Sequence, residues 1–128
     1  MFQQDPSWMV TAGKLLMAAF FLTAGMLNLM PQRVKDHIAR MEGFGVPMPA
    51  FAFGIGVVME FAGCALLLSG WHADIGVWLL IAFTAVAGSL FHRFWLVNDP
   101  VRRQSLRIAL LNNIAVIGGL LVLLHIVR

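Results

Sequence analysis

The sequence predicts an all-α membrane fold: a four-helix bundle of spanning helices, with a short amphipathic surface helix between the first and the second. Three observations predict it. Of the 128 residues, 60% are hydrophobic and only 12% charged, about half the charged share of a typical soluble domain, so polar side chains are too few to cover a globule in water. The charges are gathered into short clusters between four apolar runs. Each run is about 20 residues or longer, enough as a helix to cross ~30 Å of hydrocarbon with its backbone satisfied internally. None of the runs alternates apolar and polar residues, so barrel strands are not supported.

The first run, Trp8 to Met30, is interrupted only by Lys14, Asn28 and two threonines. At ~1.5 Å per residue it extends about 34 Å, sufficient to span with some tilt. A cleavable leader would want a basic segment before a shorter apolar core. Met1 to Ser7 instead holds Asp5 and no Lys or Arg, so a retained helix starting near Pro6-Ser7 is expected. The second run is Ala50 to Ser69, closed by Gly70-Trp71. The third, Ile75 to Phe94, stops before Asn98-Asp99-Pro100, and the fourth covers about Ile108 to Val127. The spans, about 8–30, 50–69, 75–94 and 108–127, describe one transmembrane domain over 1–128.

Between the first two spans, Val34, Ile38 and Met41 recur at helical spacing while Arg33, Lys35, Asp36 and Arg40 point elsewhere. That pattern predicts a short helix lying on the membrane surface and ending at Gly43 or Gly45. Val46-Pro47-Met48-Pro49 is expected to be extended, because each proline disfavours helix in the residue before it. Seven of the nine basic residues (Arg33, Lys35, Arg40, Arg93, Arg102, Arg103 and Arg107) border the first and third connections. The positive-inside rule then places both connections in the cytoplasm and both termini outside. The +3 net charge reflects this topology; no basic face interleaved with aromatics points to nucleic acid.

Chemistry is expected at polar residues inside the spans. Glu60 falls at the middle of the second run, where an ionised carboxylate is costly and must be paired, protonated or functional. Ala52, Gly56, Glu60, Gly63 and Cys64 share its helical stripe, and small residues let a neighbouring helix approach closely. Measured from each helix midpoint, Asn113 lies about 7 Å, His92 about 11 Å and Asn28 about 13 Å toward the cytoplasm, with Lys14 about 7 Å the other way. Helix three is expected to approach through Ala85, Gly88 and His92, and helix four through Asn112, Ala115 and Gly119. A cluster of Glu60, His92, Asn113 and Asn28, with Lys14 beneath it, follows. All but Glu60 have a structural alternative: Lys14 snorkels outward, Asn112 and Asn113 only glue helices, and Asn28 and His92 are wetted at the interface.

Several chemistries find no support. Cys64 is the only cysteine, so there is no intrachain disulfide or redox pair. No phosphate loop, serine elbow or HExxH sequence is present, and no metal site is expected. His92 lies near the inner surface, His72 and His125 near the outer one, and His37 in the surface segment, so a haem between two histidines is not expected.

Gly13-Lys14-Leu15-Leu16, Phe20 through Asn28, Gly45-Val46-Pro47-Met48-Pro49, Glu60-Phe61-Ala62-Gly63, Phe91-His92-Arg93-Phe94-Trp95 and Asn112 through Leu121 together resemble the DoxX family of small bacterial membrane proteins. The family usually has Arg at the position of Lys14 and often Lys at that of Asn28, so a shared site would carry altered electrostatics here. The family is named for a subunit linked to a thiosulfate:quinone oxidoreductase. Two readings follow. In one, the chain is a bacterial inner-membrane subunit that anchors redox partners or copies of itself and contributes a quinone or small-molecule site. His92 would then hydrogen-bond a quinone oxygen, Glu60 would relay a proton, and Trp95 and Phe91 would flank the ring. In the other, it is a non-enzymatic scaffold or assembly protein whose polar residues only fix helix packing. No self-contained catalyst is predicted.

Overall fold

The computed structural model describes residues 7–91 and 98–127, and these form five helices: α1 (Ser7–Asn28), α2 (Pro31–Gly43), α3 (Pro49–Ser69), α4 (Ala73–Phe91) and α5 (Pro100–Val127). Three of them open on a proline, which is suited to the first helical turn because its fixed φ is already helical and its missing N–H is not needed there. Asp99 caps α5: its carbonyl accepts the Arg103 N–H at 2.8 Å and its side chain accepts the Val101 N–H at 3.4 Å. Gly70 ends α3 in the left-handed region, at φ 77°, where its N–H donates to the Leu66 carbonyl at 3.2 Å. A glycine adopts that conformation without a Cβ clash.

α1, α3 and α5 are long and apolar enough to cross a membrane, and α4 carries a shorter apolar stretch, Ala73–Ser89. Neighbouring helices run antiparallel, as their contacts show. Ala18 accepts a weak bond from the Cys64 thiol at 3.9 Å, while Gly25 faces Glu60 and Phe61, so α3 numbers fall as α1 numbers rise. The same reversal pairs Gly56 with Phe83, Gly63 with Leu80, and Leu66 and Leu67 with Gly76. α3 and α4 share the most extensive contact; α4 also packs on α5, and α3 on α1 and α2.

Phe21, Cys64, Leu67, Val77, Leu80, Leu120 and Leu124 are buried together at the centre. Large apolar side chains also cover the outside, with Leu16 73%, Val58 66% and Val122 64% exposed. An exterior this apolar is a liability in water and suits lipid. The closest backbone approach is between α3 and α4: a Cβ on Gly76 would stand 2.7 Å from the Gly63 carbonyl oxygen, and one on Gly63 would stand 2.8 Å from Leu80.

Four expectations are corrected. α5 begins at Pro100 rather than near Ile108, so Arg102, Arg103 and Arg107 lie on helix. α5 packs through Asn113, Leu120, Leu123 and Leu124, and Gly119 faces Met17 of α1 as a contact position, whereas Asn112 and Ala115 are exposed. On α4 the buried stripe is Val77, Leu80, Thr84 and Gly88, and Ala85 is exposed. Met48 is not extended: it takes φ 49°, ψ 60° as the N-cap of α3, a left-handed conformation that is unfavourable for a residue with a Cβ.

Candidate functional site

A cavity of about 430 Å³ lies where α1, α2 and α3 meet, with further wall from α4 and α5. Its walls are largely apolar and include Phe20 and Phe21 of α1, Phe53 of α3 and Phe83 of α4. The polar lining residues are Glu60, Thr84 and Asn113 from α3, α4 and α5, and Asn28, Arg33, His37 and Arg40 from α1 and α2. Exposed apolar residues Phe20, Ile55 and Val86 are also part of the lining, so the space is reachable from the apolar outer surface of the protein.

Glu60 is 1% exposed. It is placed by the face of α3 that also carries Gly56 and Gly63, one turn to either side, and its Oε1 lies 3.0 Å from where a Cβ on Gly25 would stand. Gly25 thus makes room for the carboxyl group. No hydrogen bond or ion pair engages Glu60 among the described residues. Thr84, 3% exposed, donates its hydroxyl to the Leu80 carbonyl at 2.8 Å, the usual outlet for a hydroxyl in an apolar helix. The Asn113 amide nitrogen fills the space over Gly88, 2.9 Å from its Cβ position.

At the α2 end, His37 Nε2 donates to Asn28 Oδ1 at 3.2 Å; a carbonyl oxygen can only accept, which fixes the direction. The His37 ring stacks on Phe53 with centroids 5.8 Å apart and planes at 27°. Burial lowers the His37 pKa below its ordinary 6.5, and Arg40 and Arg33 lower it further, against an opposing pull from Asp36. The imidazole is therefore held toward its neutral form.

Of the residues expected to cluster, Glu60, Asn113 and Asn28 line this one cavity. Lys14 does not line it, and no ion pair joins it to Glu60. His92 and Trp95 lie outside the described residues. Sequence reasoning missed Thr84 and the inward face of α2. Arg33, His37 and Arg40 recur at spacings of four and three, a helical stripe as regular as Val34, Ile38 and Met41 beside it.

A family model described as DoxX matches residues 9–93. That span takes in α1 to α4, whereas α5, with Asn113 and the segment from Asn112 to Leu121, lies beyond it. No curated protein and no solved structure matches the chain.

Proposed function

The chain belongs to the DoxX family of membrane proteins, and on that premise we propose that it is a membrane subunit of an oxidoreductase system whose cavity takes a quinone or a similarly small amphipathic molecule. The observation that carries the reading is the cavity: about 430 Å³, with a largely apolar lining that includes four phenylalanines and a few polar groups. Small-molecule sites are of this size and kind, mostly apolar with a few convergent polar groups. Exposed Phe20, Ile55 and Val86 in the lining offer entry to a lipid-soluble molecule.

In this reading α1, α3, α4 and α5 span the bacterial inner membrane as one bundle, α2 lies on its cytoplasmic surface, and both termini are outside. The basic residues of α2 and of the first turns of α5 support that orientation. The four phenylalanines hold a ring, Asn28 and Asn113 offer amide hydrogen bonds, and Glu60 gives or takes a proton at its carboxylate. The electrons come from a partner subunit. The alternative, a non-enzymatic scaffold, draws support from the tight packing at Gly63 and Gly76, which needs no ligand.

Purification from native membranes in mild detergent separates the two. The oxidoreductase reading expects a co-purifying redox subunit and extractable quinone near one equivalent per chain. Pure chain with neither is the scaffold's result.

A further inference from the structure

The α2 end of the cavity carries a charge pattern that a neutral ring does not use. Arg33, His37 and Arg40 fall on one face of α2, and all three line the cavity. Asp36 and Glu42, on the same helix, do not line it; Glu60 is the only acid that does among the described residues. His37 stacks on Phe53, and Glu60 lies seven residues farther along α3, about 10 Å at ~1.5 Å per residue. Between the two levels α3 lines the cavity with Gly56 and Val57, and Phe83 of α4 faces Gly56.

We propose that the cavity takes an amphipathic anion, with its acidic oxygen head held by Arg33 and Arg40 at the α2 end and its apolar body directed along the phenylalanine wall toward Glu60. The proposal rests on the reading of this cavity as a small-molecule site and names the ligand class. The guanidinium groups are permanently charged and offer forked donors that match a carboxylate or phosphate. Both arginines also act electrostatically on His37, which places their positive field at this end of the cavity. Glu60 stands at the far end, and the arginines of the described lining lie on α2 alone, so the acidic head enters in one orientation. A medium-chain fatty acid and the acidic end of a membrane lipid share this chemistry.

The test is calorimetric titration of the full chain in nanodiscs of neutral lipid. The probes are octanoate, octanol, inorganic phosphate and a short-chain ubiquinone analogue. Octanoate is expected to bind at least about tenfold more tightly than octanol or phosphate. Arg33→Gln with Arg40→Gln should weaken it about tenfold or more, while Lys35→Gln, outside the cavity lining, leaves it unchanged; matched melting temperatures show that the variants are folded. If phosphatidylglycerol in the nanodisc competes with octanoate, the bilayer is the natural source; if it does not, a free acid is. Equal binding of octanol, equal binding of phosphate, or no effect of the arginine replacements overturns the proposal. If the quinone analogue binds and octanoate does not, only the anion proposal falls. If no probe binds, the cavity reading falls with it.

Discussion

Glu60 is an acid in the middle of an apolar helix, 1% exposed and engaged in no hydrogen bond or ion pair among the described residues. A buried polar group without a partner costs stability, so its retention points to use rather than packing. Glu60→Leu is therefore expected to match or exceed wild type in thermal stability in detergent while weakening ligand binding. A loss of about 1 kcal/mol or more would identify a structural role instead. Because Lys14 is not paired with Glu60, Lys14→Leu should add to Glu60→Leu within about 0.5 kcal/mol; stronger coupling would restore the pair. His37 supplies a pH dependence. Its pKa is lowered by burial, then by Arg40 and Arg33, so the unfolded chain binds this proton more readily than the folded one. The His37 contribution to stability then falls as pH drops below about 6.5. His37→Gln should shrink the loss in melting temperature between pH 7.5 and 5.5; an identical loss in the variant would remove His37 from the account. Glu60 was legible in the sequence because a charge inside an apolar run has few explanations. Arg33, His37 and Arg40 were not, because a charged stripe on a surface helix reads first as a solvated face.

At the scale of elements, helix contacts are set by where backbones can approach. A Cβ on Gly76 would meet the Gly63 carbonyl at 2.7 Å, which is backbone and cannot swing away, whereas a Cβ on Gly54 meets nothing within 4 Å. Gly76→Ala is expected to cost about 1–3 kcal/mol of stability in detergent. Gly54→Ala should be neutral or gain up to about 1 kcal/mol from helix propensity. Equal melting of the two variants would contradict the α3–α4 packing. Gly88 is the milder case, since the atom facing it is the end of the Asn113 side chain at 2.9 Å, and Gly56 meets Phe83 only at 3.5 Å. Helix existence was legible from run length and breakers. The packed faces of α4 and α5 were not, because lipid and bundle interior are equally apolar and small residues on either face look alike. The early start of α5 was hidden by its arginines, although Asp99-Pro100 carried a capping signature.

At the scale of the whole molecule, antiparallel packing brings the end of α1, the start of α3 and the face of α2 to one end, where the basic residues also gather. Single cysteines at Lys35, Arg103 and Asp74, in a Cys64→Ser background, test the orientation with an impermeant thiol reagent on intact cells. Labelling is expected at position 74 alone; labelling at 35 or 103 without 74 would invert the topology. The central claim is that the cavity walled by Phe21, Phe53 and Phe83, with Glu60 among its lining, holds a small molecule. Gly56 lines that cavity and has ordinary contact distance to Phe83, so Gly56→Phe fills the space. The most direct test is titration of a short-chain ubiquinone analogue into wild type and Gly56→Phe in the same nanodiscs. Saturable binding near one equivalent to wild type, lost or weakened at least about tenfold in the folded variant, is the predicted result. Equal binding to both, or none to wild type, would contradict the claim.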